Sequence, residues 1–428
     1  MGRKFPIKKG LPCQLKWNHS TVFLTKGTTA SCHRVTQDPI IVENGKINFH
    51  NIPEKLEARK KMLRGEWPGR GCEHCKTIED AGGMSERITS IDFPGLLYPK
   101  ELDDNPNEID VTPTQLEIYF SNTCNLKCIY CNPKFSSTID AENARFGEFT
   151  AGDISKFGEN IYIDGKIQIA DNIDQLGLKL FDWLEENIQH LNKIFILGGE
   201  PFLQKETEKL IQFLETKSCP KLMLSIFSNL TVDPQRVKKW ISRMWQLKVD
   251  GHIESLQVVG SLDCWGDGAK YLRNGLELEK FIENFEFMLD ETKIILNVNS
   301  ALTALTVPYM PALVDKINSW SKKRKVYWSM MKAGDAGRPY LNPTIFGKDI
   351  LDLGLNESIQ KFNTDGDAIK KIWLENLKGI AKECEMTKPN LLQQRLLSIY
   401  LNELDRRRET SWREVFPTIA KLYDRQQS

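Results

Sequence analysis

The sequence predicts an α/β fold: a partial (β/α)6 barrel of the TIM type, preceded by an irregular cysteine-rich module and followed by a helical extension. Three observations carry this reading. From Thr114 onward, short apolar runs alternate with helical patterns, the mark of parallel strands joined by helical crossovers. The alternation gives six strands, which suits an open barrel better than a closed eight-stranded one. Of the ten cysteines, seven lie at or before residue 131, so the start of the chain differs in character from the rest.

Residues 1–110 are rich in Gly, Pro and Asn, with one helical segment, Glu54–Arg64, closing at Gly65. So little apolar periodicity calls for a staple, and a metal centre could supply one. Cys13, Cys32, Cys72 and Cys75 are its candidate ligands; four thiolates close either an iron–sulfur cluster or a zinc site. Pro94–Pro113 reads as the linker out of this module.

In residues 111–340, strands are expected at Leu116–Phe120, Lys193–Leu197, Lys221–Phe227, Ser255–Leu262, Lys293–Asn299 and Lys325–Met331. Helices are expected at Asp174–His190, Gln204–Thr216, Pro234–Trp245, Leu276–Asp290 and Pro308–Trp320, with an insertion around Phe149–Asp171. Residues 341–428 turn helical, with amphipathic stretches at Ala368–Cys384 and Leu391–Arg407.

At 428 residues the chain has room for two or three domains. Its net charge of +1 creates no field that would draw it to nucleic acid or a membrane surface. The first residues lack the apolar core of a signal peptide, and no apolar run is long enough to span a bilayer. A cytoplasmic location is expected, where clustered cysteines bind metal more often than they form disulfides. The runs Lys322-Lys323-Arg324-Lys325 and Arg406-Arg407-Arg408 read as solvated helix ends; they leave a nucleic acid partner open without supporting one.

The first strand runs into Cys124, Cys128 and Cys131 at C-x3-C-x2-C spacing. Three thiolates can hold three irons of a cubane cluster and leave the fourth iron open, since no further cysteine follows at ferredoxin spacing. Zinc is the alternative, although it favours paired C-x2-C knuckles. The second strand ends in Gly198-Gly199-Glu200-Pro201, the third in Ser228-Asn229 and the fourth in Ser261-Leu262-Asp263, with Tyr271-Leu272-Arg273 beyond.

The cysteine loop with Tyr130 before its last cysteine, followed one β/α unit later by Gly-Gly-Glu-Pro, resembles the radical S-adenosylmethionine (SAM) superfamily. The resemblance implies a [4Fe–4S] cluster on Cys124, Cys128 and Cys131, with SAM on the open iron. Tyr130, Gly198, Gly199, Glu200, Pro201, Ser228, Asn229, Ser261 and Arg273 would surround the SAM, Glu200 accepting from its ammonium and Arg273 forking its carboxylate. It further implies reductive cleavage of SAM to a 5′-deoxyadenosyl radical that takes hydrogen from a substrate carbon, fed by a donor such as flavodoxin or ferredoxin.

The N-terminal cysteines, with Lys61–Pro68 and Ile78–Arg87, resemble twitch and SPASM-type auxiliary-cluster modules, although the better-known ones follow the barrel. This implies a second [4Fe–4S] cluster and, as substrate, a peptide for epimerisation or crosslinking, or a small metabolite. RNA or nucleotide modification and a non-catalytic zinc-stapled binding module are the alternatives. Cys264, just past the fourth strand, is either a hydrogen-atom donor to a substrate radical or a small buried hydrophobe.

Overall fold

The computed structural model of the chain describes residues 13–80, 85, 87, 109–149, 162–163, 166–167, 172–334 and 338–427. Leu11, Pro12, and most of the expected linker at Pro94–Pro113 and of the expected insertion at Phe149–Asp171 lie outside the described residues.

The fold is mixed α/β around one large, mostly parallel sheet. Its strands are β1 (His19–Phe23), β2 (Thr28–Ala30), β3 (Asp38–Pro39), β4 (Gln115–Tyr119), β5 (Lys193–Leu197), β6 (Cys219–Ser228), β7 (Ile253–Ser261), β8 (Ile295–Leu302) and β9 (Val326–Lys332). The spatial order is β9-β8-β7-β6-β5-β4-β1-β2-β3. The six expected strands are β4 to β9, each parallel to the next, so every crossover steps the same way across the sheet. The five expected helices fill these crossovers, at Ile173–Asn187, Lys205–Glu215, Pro234–Val249, Leu278–Glu291 and Met310–Lys323. Local chemistry sets their starts: Asp233 accepts from the Arg236 N–H just ahead of Pro234, at the position where a missing proline N–H costs nothing.

The start of the chain is not the irregular module that its composition suggests. β1 continues the main sheet, parallel to β4 from His19 opposite Gln115 to Phe23 opposite Tyr119, and β2 and β3 extend it antiparallel. β1 was hidden because it is buried along its whole length yet begins with three polar residues. Each of these finds a partner: His19 Nδ1 on the Ser31 carbonyl, Ser20 Oγ on His50 Nδ1, and Thr21 Oγ1 on Glu117. The helix Pro53–Leu63 is pinned below by Lys55, whose buried ammonium donates to Ser20, Thr29, Ala30 and Phe49.

The C-terminal helices Ala368–Met386, Leu391–Arg408 and Pro417–Gln427 share the same hydrophobic core as the sheet. The first basic run is the expected solvated helix end, with Lys322, Lys323 and Lys325 exposed, whereas the second is less solvated. Lys323 and Lys325 pair with Asp290 and Asp367, while Arg407 and Arg408 are nearly buried, Arg408 forked on Glu142. Among the described residues no helix is long and apolar enough to cross a membrane.

If β1 belongs to the same cooperative unit as β4, its amides should exchange with solvent as slowly as those of Gln115–Tyr119. Hydrogen-exchange mass spectrometry reads this directly. Fast exchange confined to His19–Phe23 would make the start of the chain a separate unit.

Candidate functional site

The strands β4 to β9 end around one cavity of about 470 Å³. Tyr119, Leu197, Phe227, Ser261, Ala301 and Met331 line it, one from each strand end. Carboxyl ends of parallel strands are where connecting loops converge, so functional groups gather there. The loop after β4 brings Cys124, Cys128 and Cys131 to this cavity together with Tyr130. Gly198, Gly199, Ser228, Asn229, Ser261 and Arg273 line it as well. The sequence-expected residues are therefore largely brought together.

Hydrogen bonds shape the cysteine loop and turn donors toward its sulfurs. The Leu126 N–H points at Cys124 Sγ (3.4 Å), Asn229 Nδ2 reaches the same sulfur (4.0 Å), and Arg273 Nη1 points at Cys128 Sγ (3.8 Å). Donors aimed at sulfur suit thiolates that carry charge. Burial pushes all three thiols up, Cys131 to about 12, which favours the neutral thiols in the absence of a partner that takes their charge.

The Gly-Gly-Glu-Pro turn locks onto this loop. Glu200 N–H donates to the Thr123 carbonyl at 2.7 Å, and Gly199, at φ +55°, leaves no room for a Cβ against the same oxygen. Gly198, at φ +81°, is pressed on the Tyr119 ring in the same way. Both glycines are thus required by protein contacts.

Glu200 itself is turned away from the cavity. Its carboxylate is fully buried, accepting from Phe202 N–H (3.0 Å), Ser228 Oγ (2.8 Å) and Asn229 N–H (2.7 Å). Burial raises it to about 7 against these three donors. It braces Ser228 and Asn229, which do line the cavity. Pro201 starts the turn behind it and is buried.

Arg273 departs from the expected role too. Its guanidinium forks onto Asp263, with Nε on Oδ2 at 2.9 Å and Nη2 on Oδ1 at 2.8 Å. Burial opposes its charge, but Asp263 holds the proton on. The Tyr130 hydroxyl also donates to Asp263, at 2.7 Å. Cys264 is fully buried in the hydrophobic core, is not among the cavity-lining residues, and has its thiol pushed well up by burial. The structure places it as a core residue, in line with the second of its two readings, the small buried hydrophobe.

The four N-terminal cysteines face a second, smaller cavity. Cys13, Cys32, Cys72 and Cys75 line it with Lys16, Arg34, Met62, Trp67 and Arg87. Cys13 precedes the helix Gln14–Asn18, Cys32 follows β2, and Cys72 and Cys75 bracket the first turn of the helix Glu73–Asp80. Gly71 is obligatory here: at φ +101° a Cβ would strike the Arg34 carbonyl. Burial pushes Cys13 to about 12, against the pull of Lys16. All ten cysteines are free, and among the described residues no three His, Cys, Asp or Glu side chains are gathered around the position of a single ion.

Two features escaped the sequence. Arg34 lines both cavities, and its adjacency to Cys32 was the available signal. Glu117, buried on β4, accepts from His19 and Thr21 and lies 3.4 Å from His33 Nε2. Burial alone would raise it, but His33 and His19 hold it down to about 2. No protein-family model matches this chain, and no curated protein matches it either.

Glu200 gives a pH test. The folded protein keeps its proton up to about pH 7, whereas the unfolded chain releases it near 4.5, so stability falls as pH rises through that window. Denaturation between about pH 4.5 and 7.5 should cost the wild type about 3 kcal/mol more than E200Q. E200Q should instead show a pH-independent loss, because its amide nitrogen faces the Asn229 N–H. Equal slopes for the two proteins would place the titration elsewhere.

Proposed function

We propose that this chain is a radical SAM enzyme whose strands β4 to β9 form a (β/α)6 partial barrel. The observation that carries the reading is the convergence of three thiols, the Gly-Gly-Glu-Pro turn and Ser228-Asn229 on one cavity at the carboxyl ends of parallel strands. Sequential parallel strand order supports the barrel, since crossovers that obey the general right-handed rule would then put the helices on one face and leave the other for a site.

Cys124, Cys128 and Cys131 would hold a [4Fe–4S] cluster, and Arg273 and Asn229 would donate to its sulfurs. Bound there with SAM, such a cluster supplies the electron that cleaves SAM to a 5′-deoxyadenosyl radical able to take hydrogen from a substrate carbon. The chain's own work is positional. Glu200 fixes the backbone of Asn229 and the hydroxyl of Ser228 at the cavity wall. Leu197, Phe227, Ala301 and Met331 give the cavity apolar walls that limit water. Cys13, Cys32, Cys72 and Cys75 would hold a second metal centre, an iron–sulfur cluster by resemblance, and Lys16 beside Cys13 and Cys72 would offset part of its thiolate charge. The substrate is a peptide or a small molecule.

Iron and acid-labile sulfide, measured after anaerobic reconstitution, test this. Wild type should carry about eight irons, and the C124A/C128A/C131A variant about four. SAM cleavage to 5′-deoxyadenosine should vanish in the variant. About four irons in wild type and none in the variant would reassign the N-terminal cysteines to zinc or structure; no iron in either would overturn the proposal.

A further inference from the structure

Two lysines near the carboxyl end of β1 carry charge that no described residue answers. Lys134, just beyond the cysteine loop, is only 5 % exposed, yet its ammonium makes no hydrogen bond or ion pair among the described residues. It rests on aromatic faces instead, 3.9 Å from the centre of the Phe23 ring and 5.1 Å from that of Phe135. Ring faces attract a cation, but they replace only part of the water that an ammonium with three N–H groups gives up. Lys26 comes to the same place from β1. The 3-10 turn Leu24–Lys26 starts directly after Phe23, and side chains three residues apart eclipse in such a turn, so Lys26 follows the Phe23 ring. It is half-buried and likewise without a hydrogen bond or ion pair among the described residues. Burial and this second cation hold Lys134 down to about 7, and burial lowers Lys26 as well.

The acids nearby in the fold are placed elsewhere. The helix Ile173–Asn187 packs on the Leu24–Lys26 turn, but its Glu185 pairs with Lys217, Glu186 with Lys46 and Asp174 with Lys205, while Asp182 is exposed. On the helix Ser137–Phe146, Glu142 is taken by Lys127 and Arg408. Nor do the two lysines belong to a cysteine site. The cations that bear on Cys128 and Cys131 are Arg273, Arg338 and Arg408, and Lys16 is the one that bears on Cys13 and Cys72. Tyr119 and Phe135 line the cavity of the three thiols, whereas Phe23, Lys26 and Lys134 do not. Charge bound in that cavity, thiolates and a SAM carboxylate included, faces its arginines and not these lysines.

Two like charges, side by side and partly out of water, are costly unless an anion joins them. We propose that Lys26 and Lys134 form a binding site for a small oxyanion, a phosphate or carboxylate group, seated against Phe23 at the carboxyl end of β1. Each ammonium is a compact charge whose three donors adapt to either anion. The carboxyl ends of parallel strands are where such ligands collect. This site does not depend on the function proposed above.

Isothermal titration calorimetry of the full chain tests it, with inorganic phosphate and, separately, acetate as probes in chloride buffer of constant ionic strength. At least one of the two should bind at a single site, and the tighter one tells phosphate from carboxylate. K26Q and K134Q should each weaken that binding about ten-fold or more, and K134R should keep most of it. K248Q, which removes an exposed lysine from the helix Pro234–Val249, should leave it unchanged. If K134Q does not fold, K26Q decides, since Lys26 is only half-buried. Absence of binding by both anions overturns the proposal and leaves Lys134 an amine packed on Phe23. Binding that survives K26Q and K134Q overturns it too, because the anion is then held elsewhere.

Discussion

The cysteine loop hangs on the carboxylate of Asp263. This fully buried group, two residues beyond β7, accepts from the Ala301 N–H on β8, from both arms of Arg273 and from the Tyr130 hydroxyl. One anion thereby joins two strand ends to the loop that carries the thiols. Arg273 returns the connection through its backbone, which pairs with Cys128 in a short antiparallel ladder, and through its side chain, which points at the Cys128 sulfur. A buried ion pair is weak grounds for stability, since desolvation offsets most of its attraction. Its value here is geometric, because one carboxylate satisfies all four donors at once.

The helical tail completes the support. Tyr400 and Arg338 both donate to the Ile129 carbonyl, between Cys128 and Tyr130. Arg408 forks on Glu142, which also takes Lys127 from the loop, and Tyr271 donates to Asp405. A loop that must keep three sulfurs in fixed relation needs its free carbonyls and charges held by partners on rigid elements. The last helices supply them from about the far end of the chain, so the tail is part of the site's scaffold.

What the sequence made legible was whatever is written locally. The six parallel strands and five crossover helices follow from apolar periodicity, and the cysteine loop and glycine turn from residue type and spacing. What stayed hidden depends on distant partners. β1 looks polar until Glu117, His50 and Ser31 are brought to it. Glu200 reads as a ligand-facing acid until the Asn229 and Phe202 amides close around it. Arg273 reads as a free fork until Asp263 fills it. For Glu200 and Arg273 the sequence marks the residue but not its direction, and for β1 it marks neither, because both are set by tertiary contacts that no local pattern encodes.

The position of the N-terminal cysteines follows from one topological fact. β4 would be an edge strand, with an open row of backbone groups, if nothing joined it there. β1 covers that edge in parallel register, and the β2–β3 connection then folds back over Glu117 through His33. Within that connection Cys32 faces the small cavity and Arg34 faces both. The segment ahead of β4 thus reaches the same cavity as the loop after β4 through Arg34, while its cysteines line the smaller one.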